Sequence, residues 1–433
     1  MVIGPFPRKL IMRQRLQFAF VVMWFVLTGT PIFAQLEGPF TKEDWPWWRG
    51  PSRDGVAEPD QKLPIKFGPE ENVLWKTPIP GRGHSSPTIV GKRIYLTTAD
   101  EKKQIQSVLC YDRESGKQLW KTDVHKGGFA KKGVNKRSSY ASASVACDGK
   151  RLYINFHCHE AIHATALDLD GKILWQKEIT KYRPHQGYGS SPALFKGLLY
   201  VNADNKGGGT FATLDPASGD ILRKHARPKT PNYASPIILR VAGKDQLFLT
   251  GCDKVTSFHP ITGKVLWEID GATTECVTST VTDGKAIITS GGYPSNHISA
   301  VLADGSGKVL WRHKIRVYVP SMVLADGHVY AVTDDGIVHC IHVASGEITW
   351  KKRLGGTFNA SLVLVGDSIY AQNQDGQIFI YKANPEAYES IAINQLGEDV
   401  FATPTIVGNR LYYRVAHYKG RERQEYLYCI GQK

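Results

Sequence analysis

Nine residues, Asp112-Arg113-Glu114-Ser115-Gly116-Lys117-Gln118-Leu119-Trp120, recur with modest change through a chain of 433 residues. Related phrases run from Asp168 to Trp175, His259 to Trp267, Ala303 to Trp311 and His342 to Trp350. A degenerate copy from Asp215 to Arg223 lacks the final ring. In each copy a polar residue opens a tight turn, a Gly takes a φ > 0 position, and an apolar strand ends in a large flat ring. Fully burying that ring is worth about 4–6 kcal/mol gross, at ~25 cal/mol per Å² of apolar surface. One hairpin cannot bury it alone, so the ring must dock on a neighbouring copy. Trp75, Trp120, Trp175, Trp267, Trp311 and Trp350 are therefore expected to be structural.

A second phrase runs beside the first: a small-residue/Pro lead-in, a short apolar strand, a Gly turn, then a strand usually carrying Tyr. Its turns fall at Gly91, Gly149, Gly197, Gly243, Gly284, Gly327, Gly366 and Gly408. The spacings of 58, 48, 46, 41, 43, 39 and 42 residues suit propeller blades. Each unit reads as four strands; in the first they are Pro87–Val90, Arg93–Thr98, Ser107–Tyr111 and Gln118–Val124. The last unit supplies Thr405–Val407, Leu411–Val415 and Tyr426–Ile430, and then the chain stops without a fourth strand. Near the N-terminus, Asn72–Thr77 is an orphan fourth strand resembling Leu119–Thr122. The two halves predict an all-β, eight-bladed propeller with four-stranded blades, closed by an N-terminal strand that completes the last blade. Helical periodicity is weak and confined to Pro385–Ile391.

The D-x-x-[TS]-G-x-x-x-W phrase resembles the tryptophan-docking repeat of pyrroloquinoline-quinone (PQQ) repeat propellers. That superfamily holds quinoprotein alcohol dehydrogenases and an outer-membrane barrel-assembly lipoprotein. Trp45-Pro46-Trp47-Trp48-Arg49-Gly50-Pro51-Ser52-Arg53-Asp54-Gly55, followed by Gly81–Pro87, is similar to exported PQQ-like propellers of planctomycete-type bacteria. The likeness covers residues 45–433. It implies a fold and leaves the activity open, because propellers host unrelated functions.

Residues 1–34 read as an export signal. Arg8, Lys9, Arg13 and Arg15 precede an apolar run, Leu16–Leu27, and Ala34 offers a cleavage point. Residues 35–71 form a Trp/Pro-rich extension and residues 72–433 the propeller. Losing the signal removes four basic and no acidic side chains, taking the formal net charge from +14 to +10. Export argues against a nucleic-acid partner; an envelope protein or anionic polymer fits the charge better. A monomer in the periplasm or outside the cell is expected.

The quinoprotein enzymes this chain resembles have adjacent cysteines beside the cofactor, an acidic calcium site and a catalytic Asp. Here Cys110, Cys147, Cys158, Cys252, Cys276, Cys340 and Cys429 include no adjacent pair, and none of the enzymes' catalytic residues can be placed. Cys110, Cys340 and Cys429 occupy a small-residue position in third strands that Ala166 and Thr213 also fill, which suggests inert packing. Cys252 and Cys276 fall on loops of one rim, where a disulfide could form. His157-Cys158-His159-Glu160 with His163 invites a metal. On one strand, however, His157 and His159 share a face that Cys158 does not, and two His are half a zinc site. A polar loop lip is the expectation, with no metal and no cofactor.

The remaining signal is positional. Loops from fourth to first strands, and from second to third, emerge at one end of a propeller, the top. There they offer a polar and aromatic set expected to bind a ligand or partner: Arg82, His84, Lys131, Lys132, Arg137, Tyr140, His185, Tyr188, Tyr233 and Tyr293. Asn202, Asp204, Asn205, Asn232, Asn296 and His297 share these loops. The insertion His125–Tyr140 explains the 58-residue spacing, and with Lys102, Lys103, Lys419, Arg421 and Arg423 it predicts one basic sector. Trp45–Trp48 is expected to pack along the propeller wall and anchor the N-terminal strand, with sugar stacking as the other reading. The chain thus reads as an exported, non-catalytic binding or scaffold propeller. The alternative is a PQQ- and calcium-dependent oxidoreductase.

Overall fold

All eight repeat glycines adopt left-handed backbone, with φ from 56° to 89°, and each turns the first strand of a blade into the second. The structure, a computed structural model, describes Met1, Val2, Gly4 and residues 38–433. The expected export signal lies outside these, apart from the three residues named. Blade 1 comprises Thr88–Val90, Arg93–Asp100, Ile105–Asp112 and Gln118–Lys126 in simple up-and-down order. Six more sheets repeat this order, and first strands of neighbouring blades lie side by side around a central channel. In blade 8, Val73–Ile79 pairs antiparallel with the chain's last strand, Glu422–Ile430, with Trp75 opposite Cys429. The ring is an eight-bladed all-β propeller closed as the split blade predicts. Pro385–Ile391 is bend and strand rather than helix, and leads into the outer strand of blade 7, Ser390–Gln395.

Burial follows position in the blade. Arg93–Asp100 is buried on both faces through its middle, because each face meets a neighbouring blade. The outermost strand Gln118–Lys126 alternates between partly buried and exposed, because one face looks to solvent.

The tryptophans dock as the repeat requires. Trp120 of blade 1 lies on Gly171 of the blade 2 turn, where a Cβ would sit 2.8 Å from the ring. Its indole N–H donates to Leu169 O at 3.1 Å. Trp75, Trp175, Trp311 and Trp350 donate likewise to Arg113, Pro216, Val343 and Asn384 carbonyls of the following blade. Arg223 stands in for the missing ring and donates to Ile261 O at 2.7 Å. Of the six docking rings, Trp267 and Trp311 are buried; Trp75, Trp120, Trp175 and Trp350 keep an edge in solvent, because the outer strand has one open face. The small third-strand residues sit directly across from these side chains: Cys110 opposite Trp120, Cys340 opposite Trp350, Thr213 opposite Arg223. A larger residue there would compete with the ring for space.

The Trp45–Trp48 cluster does not follow the wall to its anchor. It enters the ring. Trp45 exchanges backbone hydrogen bonds with Ile89 of blade 1, and Pro46 O accepts from Cys147 N of blade 2. Arg53 reaches Leu194 O of blade 3 at 2.8 Å and Trp48 Nε1 reaches Ser279 Oγ of blade 5 at 2.8 Å. Arg49, only 2% exposed, donates to Met322 O of blade 6 and Leu362 O of blade 7 at 2.5 and 2.7 Å. Val56–Ala57 then adds a parallel fifth strand inside blade 7. The physical reason is that innermost strands present unpaired backbone groups to the channel, and a segment lying there satisfies them. Farther on, Lys62 and Asn409 join the extension to the blade 8 turn at the opposite end from the top loops.

Candidate functional site: a funnel closed from below

Serines at the lead-in to the first strands form a collar around the channel. The Ser86 amide donates to Ser144 Oγ, Ser144 to Ser191 and Ser191 to Ser235, at 2.9 Å each. Ser279, Ser321 and Ser361 continue it to Thr403 Oγ1 at 2.8–3.0 Å. A lead-in residue with a short hydroxyl is needed because each side chain caps a backbone amide of the preceding blade. Above this collar the top loops enclose a cavity of about 660 Å³, and Trp48 of the inserted segment lines it beneath. That volume lies within the range of small-molecule sites.

Six of the expected residues line this funnel: His84, Arg137, His185, Tyr188, Tyr233 and Tyr293. His84 stacks on Phe401 with ring centroids 4.2 Å apart. Burial, with Arg82, Arg414 and Arg423 nearby, holds its pKa well below the usual imidazole value, so it is neutral at pH 7. Tyr293 is 54% exposed at the rim. Arg137 sits on the long insertion, which docks on the next loop through Asn135 Nδ2 to Gln186 Oε1 at 2.7 Å.

The other four expected residues do not line the funnel. Arg82 donates to the carbonyls of Lys136 and Arg137 and props the insertion. Tyr140 stacks on Phe129 at 4.2 Å and donates to Ala130 O, so it folds the insertion back on itself. Lys131 and Lys132 are exposed on that insertion. The basic sector is thinner than its residue count implies, since Arg423 pairs with Asp399 and Glu425, and Lys103 with Asp100. Among the described residues Lys102, Lys131, Lys132, Lys419 and Arg421 have no ion pair and are exposed.

Sequence reasoning missed the funnel's acids. Glu275, 2% exposed, accepts from Tyr318 OH at 2.7 Å and pairs with His185 Nδ1 at 2.9 Å. Burial and then Glu275 raise the pKa of Tyr318 and of Tyr233, so both keep their protons as donors. Asp334 accepts from the Tyr318 amide at 2.9 Å, and burial raises its pKa against the pull of that amide and Arg316. Arg316 lies over the Tyr318 ring at 5.0 Å. Neither acid belongs to a recognisable motif: Glu275 follows two threonines, and Asp334 sits beside Asp335 in a turn. What the arrangement does chemically is hold a rigid polar wall over an aromatic floor.

Asn202, Asn205, Asn232 and Asp204 of the top loops turn inward instead, whereas Asn296 is exposed. Asp204 is fully buried against Arg227, 2.9 Å away, and takes the side-chain amides of Asn202 and Asn232 at 3.0 Å. Burial pushes its pKa up, but Arg227 and these donors outweigh it and the net shift is downward. A depressed carboxylate stabilises the fold above its unfolded pKa of about 3.9, and that stability is lost as pH falls through the lower folded value. The Asp204 carboxyl resonance is expected to titrate below about 3.9; a midpoint above it would contradict this geometry. All seven cysteines are free and buried, and the Cys252–Cys276 disulfide is not formed. Cys252 Sγ instead points to Thr230 O and Cys276 Sγ to Thr273 O.

The ring, the docked tryptophans and the collar define a PQQ-like β-propeller. A family profile described as outer membrane protein assembly factor BamB matches residues 69–187, 104–352 and 294–386, and the chain belongs to this family. The outer membrane protein assembly factor BamB of Yersinia pestis is 23% identical over 348 residues, covering 76% of this chain and 72% of that protein. BamB from Moraxella catarrhalis superposes with a TM-score of 0.57 at 14% identity, over 82% of this chain and 96% of that one. A europium-containing methanol dehydrogenase superposes with a TM-score of 0.68 at 10% identity, over 90% of this chain and 98% of that one. At such identities the superpositions speak for the fold alone.

Proposed function

We propose that this chain is an exported, non-catalytic binding propeller of the cell envelope that seats a protein partner on its top face. The observation that carries the reading is a funnel lined from below by the chain's own N-terminal segment, opening beside exposed lysines. Its relatives named as outer membrane protein assembly factors support an envelope partner. An acidic partner loop suits the lip formed by Lys131, Lys132 and Arg137, with aromatic surfaces of Trp48, Tyr188 and Tyr233 inside. Charge reversal at Lys131 and Lys132 is expected to slow association by about tenfold at low salt and to leave folding unchanged. An unchanged association rate would count against the basic lip.

No resident cofactor belongs to this reading. The quinoprotein alternative would need a ring of adjacent cysteines and an acidic calcium site. The cysteines here are isolated and buried, and Glu275 already has both oxygens engaged by His185 and Tyr318. These residues do not fit PQQ with calcium. Dye-linked alcohol oxidation after loading the protein with PQQ and Ca²⁺ would overturn the non-catalytic reading.

A further inference from the structure

The seam between blades 1 and 2 gathers three metal-ligating side chains that the funnel does not use. Cys158 closes the second strand of blade 2, Arg151–Cys158, and His163 lies in its third, Ala161–Asp168. Phe156 pairs with His163 across the strands, so Cys158, two residues on, shares its face with His163. His159 and Glu160 form the tight left-handed turn between them, with φ of 47° and 57°. His159 is therefore off the strand, and His157 faces the other way, against Tyr182 at 4.9 Å. The pairing of His157 with His159 expected from sequence is replaced by a different set. Its third member, His125, comes from the end of the outer strand of blade 1.

We propose that Cys158 Sγ, His163 Nδ1 and a ring nitrogen of His125 form a binding site for a zinc-type transition-metal ion, with one coordination position left to solvent. One candidate ligand atom from each residue lies within 4.8 Å of the other two. Cys158 Sγ and His163 Nδ1 are 3.5 Å apart. Ligands at the usual Zn–S and Zn–N distances subtend about 3.6 Å across a tetrahedral angle. The two imidazole centroids are 5.1 Å apart, so side-chain rotation of His125 completes the set. His125 Nε2 is buried and makes no hydrogen bond, a cost that a bound cation would remove. Both imidazoles are half-buried, which leaves a path from solvent.

The surroundings suit the task. His159 Nε2 contacts Lys126 O at 3.2 Å, and its amide donates to Gly128 O at 2.8 Å. That clamp fixes the blade 2 hairpin against the strand end that carries His125, as an outer shell does for metal ligands. Burial lowers the pKa of His125 to about 4 and also lowers that of His163, so both are neutral with a lone pair to give. Burial raises Cys158 to about 12, so the thiol is protonated and unreactive until metal arrives. Binding then forms a Zn–S bond and releases that proton to solvent. Glu178, cross-strand from His163, adds negative charge nearby.

The test uses the untagged, chelator-stripped protein without its export signal. Zn²⁺ titrated against a chromophoric chelator is expected to bind at one equivalent per chain. Co²⁺ in its place is expected to give a thiolate-to-metal charge-transfer band. Cys158→Ser should abolish that band, and half-buried His125→Gln should weaken Zn²⁺ binding at least about tenfold. His157→Gln, which faces Tyr182, should change neither. Should Cys158→Ser fail to fold, His125→Gln carries the same decision. Absence of stoichiometric binding, a Co²⁺ spectrum without the thiolate band, or full affinity in His125→Gln would overturn the site.

Discussion

Replacing Glu425 with alanine is expected to destabilise the propeller by about 3–5 kcal/mol, the range for one partner removed from a buried ion pair. Glu425 is 1% exposed and lies at the seam where the ring closes. It accepts from Arg414 Nε at 2.8 Å, Arg423 at 2.6 Å and the Gly83 amide at 3.2 Å. Gly83 belongs to the segment leaving the closing strand Val73–Ile79. Arg414 in turn holds Ser85 Oγ and Thr97 O of blade 1 at 2.9 and 2.7 Å. Alanine would leave the buried Arg414 guanidinium without a counter-charge and the Gly83 amide without its acceptor, while Arg423 keeps Asp399. Urea unfolding should show the loss, with hydrogen exchange rising first in Val73–Ile79. Native exchange rates in that strand would contradict the seam's role.

The second large effect is at the docking rings. Trp267→Ala is expected to cost about 3–5 kcal/mol, as for buried Trp in general. Trp267 is 7% exposed and packs in a cluster with Phe248 of its own blade and Ile287 and Val301 of the next. Its N–H goes to Gln246 Oε1 at 2.9 Å rather than to a turn carbonyl of blade 5. Arg223→Ala should cost only about 1 kcal/mol, the net worth of its one hydrogen bond to Ile261 O. Urea midpoints of the two variants make the comparison. Small and equal losses would mean the ring does not depend on docked aromatics.

The fold was legible because it is periodic. Gly91 through Gly408 mark every first turn, and the unpaired strands at the two ends specify one closure. The inserted segment was not legible. Trp45–Ala57 has no repeat partner, and its contacts with six different blades are each a single hydrogen bond or a short run of them. The funnel was half legible: loop order placed His84, His185, Tyr188 and Tyr233 at one mouth, because topology alone brings such loops together. Glu275 and Asp334 escaped notice since acids in loops are common, and only burial distinguishes them. His125 and Cys158 lie on different blades, so strand alternation, which compares residues within one strand, could not join them.

The proposed function seats the partner at the top funnel and its basic lip. Photo-crosslinking residues placed at Tyr293 and Lys132, both exposed beside the funnel, and at Lys244 and Lys285, exposed on turns at the opposite end, test it in the native envelope. The expected result is one shared crosslinked product from Tyr293 and Lys132 that Lys244 and Lys285 do not give. Crosslinks confined to Lys244 and Lys285 would contradict the account.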